Sequence, residues 1–357
     1  MKKRPDLILL FLFVILYLFG ILWQFSAGSV EYFKIQEMYT FKRFLIFASI
    51  SFFSLILSIF IPKKTIIKFS KPLFFLSLIL LALVYVPFLN QGSYYKRWIY
   101  VFGMSFQPSE LFKLTSILFT SYYLSKDYLL WERFFYLIPL IFYTLLGVAL
   151  ILFETDLSTA MIIYLIFFII LFVGTYKIKH IIIPSIFIFL SPILIMLKDE
   201  WRIRIISTFQ PFKFITNEGY QIAQSLIAIG SGGLFGLGYM NGKQKFDYIP
   251  LVSKDFIFSL ICEESGLVGA SILLLILFLI LYKGYRISIK VDDPFFKLLS
   301  FGITTHIVLQ SLIVIGVNIG LFPATGLPLP FISYGGTSLL INGIEAGILL
   351  NISRYVE

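Results

Sequence analysis

Apolar residues along this chain come in runs of membrane-spanning length. They cover 7–23, 44–61, 73–89, 111–124, 135–153, 159–173, 181–197, 256–282, 298–321 and 338–352. A helix of about 17–25 such residues crosses a bilayer. The pattern predicts an all-α polytopic membrane protein with ten transmembrane helices and both termini on one side. It predicts a single integral membrane domain over 1–357. Polar interruptions fall at 91–108, 154–158 and 322–336, with a large loop at 198–255 between the seventh and eighth helices.

Composition supports that division. The chain has 357 residues, 59% hydrophobic and only 13% charged, against roughly 25% charged in a soluble domain. Its net charge of +10 does not imply nucleic acid, because the basic residues sit between apolar runs, where they set orientation. With the N-terminus inside, the inner segments hold 16 Lys and Arg and the short outer loops hold 5, so both termini are expected in the cytoplasm. The basic N-terminus and the run after it lack a convincing cleavage site and read as a retained first helix. The single cysteine, Cys262, excludes an intrachain disulfide framework. All the polar loops then face outward. A transporter tends to hold its polar site near the midplane, whereas these residues gather at the outer mouth.

Four stretches carry chemistry. In RWIYVFGMSFQPSELFK, Arg97 and Lys113 suit a diphosphate, Arg as a planar fork and Lys as a point charge. Trp98 also suits an interfacial belt. Gln107, Pro108, Ser109 and Glu110 read as a helix start, and Glu110 and Lys113 share a helical face, where they are functional candidates or an ion pair. In FETDLSTA, Asp156 is either a helix cap or, with Glu154, an oxygen ligand for Mg²⁺ or Mn²⁺. In the third, Gln221 and Gln224 precede AIGSGGLFGLG, which includes Ser231; these glycines match no phosphate-binding fingerprint. Lys243 and Gln244 follow. Asp255 then opens the eighth helix, as an N-cap beside Lys254 or as a catalytic acid, with Glu263 and Glu264 deeper than a cap needs. The fourth, GLFPATGLPLPFISYGGTS, contains Ser333, Gly335 and Gly336 and reads as re-entrant backbone against a cavity. His306 reads as a satisfied core residue, and Glu345 as a buried, paired acid.

Taken in order, FQPSE with its following Lys, the acid before FIF, and GLPLPFISYGGTS resemble the SEDS family of bacterial cell-wall polymerases, which includes FtsW, RodA and SpoVE. The resemblance spans nearly the whole chain. YQIAQSLIAIGSGG and GILLNISR are closer to the FtsW and SpoVE branch. The family writes HTDFIF where this chain has Ser253, Lys254, Asp255, Phe256, Ile257 and Phe258, so two positions before the acid differ. It writes PDLGTA where this chain has TDLSTA.

The resemblance implies a ten-helix peptidoglycan glycosyltransferase that polymerises lipid II at the outer face of the membrane, for division or cell shape. Asp255 is then the general base. Arg97, Trp98, Gln107, Ser109, Glu110, Lys113, Gln221, Gln224, Ser231, Lys243, Gln244, Ser333, Gly335 and Gly336 are the candidates for substrate binding. A divalent cation at Asp156 and no organic cofactor are expected. So are a single-pass class B penicillin-binding transpeptidase and other division or elongation proteins as partners. Two alternatives are a lipid II flippase, which needs a polar path to the inner face, and a non-catalytic membrane scaffold.

Overall fold

Asp6 starts the first helix by accepting hydrogen bonds from the Ile8 and Leu9 amides at 3.0 and 3.1 Å. The computed structural model describes residues 4–86, 96–101, 104–126, 134–175, 199–214, 219–246, 248–250 and 252–356. Among these are eleven α-helices. They are α1 (Leu7–Ile35), α2 (Tyr39–Ile59), α3 (Lys63–Leu83), α4 (Pro108–Leu124), α5 (Ile138–Phe153), α6 (Leu157–Thr175), α7 (Asp199–Phe209), α8 (Tyr220–Gly232), α9 (Ile257–Lys290), α10 (Pro294–Asn318) and α11 (Gly336–Ser353). Six of them, α1, α2, α3, α6, α9 and α10, are long and apolar enough to cross a membrane, and α5 is a shorter apolar helix.

Nine of the ten predicted runs coincide with helices; the seventh, 181–197, lies outside the described residues. The helix of the third run begins ten residues early, at Lys63. Its first turns turn Ile66 and Ser70 inward and leave Lys64, Lys68 and Lys71 on the outer side, so a basic stretch and a helix are compatible. The large loop is more regular than expected, since α7 and α8 both lie in it. The fold is also not purely helical. Strands β1 (Ile99–Val101) and β2 (Met104–Phe106) pair antiparallel, with Tyr100 opposite Ser105. Strand alternation turns Trp98 and Tyr100 to one side and Ile99, 6% exposed, to the other.

Close packing sets the core. α11 lies against α2 through Gly343 and Gly347, where an added Cβ would collide with Ser51 and the Leu55 carbonyl. This is the small-residue spacing by which membrane helices approach. Asn351 fastens the same contact by donating to the Ser58 and Ile61 carbonyls at 3.0 and 2.7 Å.

α9 is broken at Gly266, whose φ of 64° and ψ of −161° only glycine adopts easily. The backbone groups freed there are taken by the segment after α8. Leu237 and Gly238 donate to the Glu263 and Glu264 carbonyls at 2.9 and 3.1 Å, and Leu267 and Val268 donate to Gly233 and Leu234 at 3.0 and 3.1 Å. α8 therefore runs alongside the upper part of α9, and its glycine loop ends beside the break. Irregular backbone at membrane depth is tolerated when its polar groups are satisfied in this way.

Candidate active site

The residue pair before α9 is clamped from two sides. Gln24, buried in α1, donates to the Ser253 carbonyl at 2.6 Å and to Ile332 at 3.0 Å. Asn318, buried at the end of α10, donates to the Asp255 carbonyl at 2.9 Å and accepts from the Ser259 amide at 3.1 Å. Tyr334 also donates its amide to the Ser253 carbonyl, at 2.9 Å. The backbone of Ser253–Asp255 is thus fixed by α1, α10 and the 320–336 segment, while Asp255 itself borders cavity space.

That space is two cavities with Asp255 and Gly326 in the walls of both. The first, of about 520 Å³, is lined by Arg43, Trp98, Tyr100, Gln107, Lys254, Tyr334, Gly335 and Gly336, among others. The second, of about 310 Å³, is lined by Arg97, Thr155, Asp156, Ser158, Arg204 and Gln221 among others. The first is therefore aromatic with two cations. The second holds two guanidinium groups and one carboxylate besides Asp255.

The electrostatics differ from one acid to the next. Burial pushes the Asp255 carboxyl up to about 7; Lys254 pulls it down and Asp156 pushes it further up. Burial and the neighbouring Asp156 push Glu154 up to about 9 against the pull of Arg97. Neither Glu154 carboxyl oxygen has a hydrogen-bond partner among the described residues, which fits a neutral acid. Arg97 is held over this turn. It donates to the Glu154 and Thr155 carbonyls at 3.2 and 2.5 Å and lies 3.8 Å from Asp156. Asp156 also caps α6 by accepting from the Thr159 amide at 3.2 Å, so the capping reading holds alongside its place in the cavity.

The expected site residues divide by location. Arg97, Trp98, Gln107, Asp156, Gln221, Asp255, Gly335 and Gly336 come together around the two cavities. Ser333 lies behind them, accepting from the Leu329 amide at 2.9 Å. Gln224 and Ser231 line neither cavity. The Ser231 hydroxyl donates to the Ala228 carbonyl within α8. Lys243 and Gln244 donate their amides to Glu263 at 2.7 and 3.1 Å, so Glu263 anchors their backbone. Glu264 has the same task one residue on, taking Ser26, the Met240 and Gly242 amides and the Lys245 ammonium, the last at 2.8 Å.

Lys113 and Glu110 are buried away from both cavities and 2.8 Å apart. Lys113 also donates to Gln310 at 2.8 Å. His306 contacts the same Gln310 oxygen at 3.0 Å and Glu345 at 2.8 Å, and Gln310 donates to the Pro328 carbonyl at 2.8 Å. Pro328 is itself in the wall of the first cavity. Ser109 is buried beside Glu110, and its hydroxyl has no partner among the described residues.

Sequence reasoning missed Gln24, Asn318, Arg43 and Arg204. The two amides had one available signal, a lone hydrogen-bonding side chain inside an apolar run.

The sequence model of the cell cycle protein family FtsW/RodA/SpoVE matches residues 6–357. Stage V sporulation protein E of Bacillus subtilis is 34% identical over 363 residues, which cover 99% of this chain and 98% of that protein. The probable peptidoglycan glycosyltransferase FtsW of Geobacter sulfurreducens is 35% identical over 367 residues, 99% of this chain and 96% of that one. Among solved structures, the Thermus thermophilus rod shape determining protein RodA superposes with a TM-score of 0.71 at 25% identity, over 98% of this chain and 97% of that chain. A chain from "Structural coordination of polymerization and crosslinking by a peptidoglycan synthase complex" gives a TM-score of 0.82 at 25% identity, over 98% of each chain. With a match over residues 6–357 and full-length relatives at about a third identity, this chain belongs to the FtsW/RodA/SpoVE cell cycle protein family, the SEDS proteins.

Proposed function

We propose that the chain is a peptidoglycan glycosyltransferase that polymerises lipid II, with Asp255 as general base. The observation that carries this reading is the position of Asp255 on the wall shared by two cavities. A transfer between two lipid-linked sugars needs an acceptor and a donor meeting at one base. The names borne by the FtsW relatives support the reaction class.

The two cavities differ in the way the two substrates differ. The second, with Arg97, Arg204 and Gln221, suits the donor's diphosphate. The first, with Trp98, Tyr100 and Tyr334, suits the faces of the acceptor sugars. Asp255 takes the proton of the acceptor 4-hydroxyl, whose oxygen attacks the donor's anomeric carbon. The bond from that carbon to the diphosphate breaks on the opposite face, which turns an α-linked donor into a β-1,4 link. One acid is enough for such an inversion, because diphosphate leaves without protonation. Charge stabilisation by the guanidinium groups then matters most.

Among the described residues no group of three His, Cys, Asp or Glu could hold a metal. A Mg²⁺ or Mn²⁺ ion needs only one or two carboxylates when substrate phosphates supply the rest. Asp156 is the residue that would hold such an ion, in competition with Arg97, and the ion would neutralise diphosphate charge. The Asp255 end then faces the outside and both termini the cytoplasm, as the distribution of Lys and Arg indicates. A single-pass class B penicillin-binding transpeptidase is the proposed partner, in keeping with the synthase complex among the structural neighbours.

Purified Asp255→Asn should melt like the parent and form no glycan strands from lipid II; full activity in that variant would sink the assignment. Loss of activity in EDTA that Mg²⁺ or Mn²⁺ restores is the expected outcome for the cation, and activity unchanged by EDTA removes it.

A further inference from the structure

We propose that the end of the molecule opposite Asp255 carries a binding site for an anionic phospholipid, with the phosphate in a basic pocket and an acyl chain along α9. The pocket, of about 330 Å³, is lined by Arg4, Asp6, Lys283, Arg286, Lys290 and Ser353 among others. Four cations face one carboxylate. That carboxylate is already engaged, capping α1 and pairing with Lys283 at 3.0 Å. Burial works against its charge, but hydrogen bonds from Leu9, Lys283 and Ile8 together with the Lys283 charge hold Asp6 below its ordinary value. Arg4, Arg286 and Lys290 have no acidic partner among the described residues. A plain orientation signal needs only exposed cations; here they converge on a concavity.

Two further observations select a lipid over a free anion. The first is depth. Beyond the break at Gly266, the unbroken part of α9 from Leu267 to Arg286 rises roughly 29 Å at 1.5 Å per residue, close to the hydrocarbon thickness of a bilayer. The pocket therefore sits at the level of lipid phosphates when Asp255 sits at the other surface. The second is continuity. Leu275, Phe278 and Tyr282 are all exposed, and their spacing of three and four residues leads to Arg286 on the same face of α9. A chain lying on that stripe delivers its phosphate to Arg286 and Lys290. Basic pockets between membrane helices are suited to such headgroups.

The test uses the full chain in detergent, the parent and Arg286→Gln/Lys290→Gln. Each is given phosphatidylglycerol, phosphatidylcholine or inorganic phosphate at equal concentration. Thermal unfolding and native mass spectrometry are the readouts. Phosphatidylglycerol should raise the parent's melting temperature and stay bound, at least about tenfold more weakly in the double variant. The double variant should melt like the parent without lipid, since both side chains are exposed. Equal phosphatidylglycerol retention by the variant, equal retention of phosphatidylcholine, or equal stabilisation by inorganic phosphate overturns the proposal. Glycan polymerisation is not a readout, so the result is independent of the activity proposed above.

Discussion

At the scale of single residues, the general base proposed at Asp255 works only as a carboxylate, and burial puts its titration near neutral pH. Polymerisation should therefore fall as pH drops through about 7 and level off above it, measured as strand length from lipid II across pH 5.5–8.5. Glu154 titrates in the opposite sense for stability. Its folded pKa stands at about 9, above the unfolded value, so the folded state keeps a proton that the unfolded chain gives up. Stability is then lost as pH rises from the ordinary carboxylate range towards 9. Glu154→Gln should remove that dependence and gain on the order of 1–3 kcal/mol at pH 8, read by thermal unfolding at pH 6 and 8. Asp255 stood out in the sequence as an acid at the edge of an apolar run, and the structure places it in the walls of two cavities. Gln24 and Asn318 were not, because an uncharged amide in a membrane helix serves equally well as glue between helices. Their partners, the Ser253 and Asp255 carbonyls, lie 229 and 63 residues away.

At the scale of elements, α4, α10 and α11 share one buried polar chain, Glu110, Lys113, Gln310, His306 and Glu345. Gln310 gives its amide hydrogens to a proline carbonyl, so its oxygen must face both Lys113 and His306. His306 therefore donates from Nε2 to that oxygen, and its Nδ1 contacts Glu345 at 2.8 Å. Lys113→Met should destabilise by about 3–5 kcal/mol, because it leaves Glu110 buried without its cation. Adding Glu110→Gln should restore part of the loss, and a double-mutant cycle on melting would measure the coupling. The sequence marked Glu110, Lys113 and Glu345 as buried ionisable groups. It did not show that they form one chain, because contacts across 197 residues have no local signature. α8 was missed for the opposite reason. Its glycine-rich C-terminal end reads as loop when taken alone, whereas Ile222, Ala223, Ser225 and Ala228 form a buried helical face.

At the scale of the whole molecule, the alternation of apolar and polar stretches was enough for the helical architecture, because bilayer thickness fixes the length of each run. The finer topology is a matter of orientation. Cys262 is buried, so single-cysteine labelling is practicable. With Cys262→Ser as background, Arg43→Cys should react with a membrane-impermeant maleimide on intact cells, and Lys290→Cys only after lysis. The reverse result would invert the protein. The bundle itself depends on the approach of α11 to α2. Gly343→Val should lower stability by about 1–3 kcal/mol, seen as a lower melting temperature in detergent, because the backbone at Ser51 has no room to yield.

The break at Gly266 also bears on how the molecule opens. The chain runs through α9 without interruption, but hydrogen bonding does not. The amides of Leu237, Gly238, Leu267 and Val268 all bond across to the other segment. The segment after α8 therefore splices the two parts of α9, donating to the Glu263 and Glu264 carbonyls before the break and accepting from Leu267 and Val268 after it. Hydrogen exchange should protect these four amides together and release them together. Loss of protection at these four amides while the rest of α9 stays protected would place the first opening of the helix at this splice.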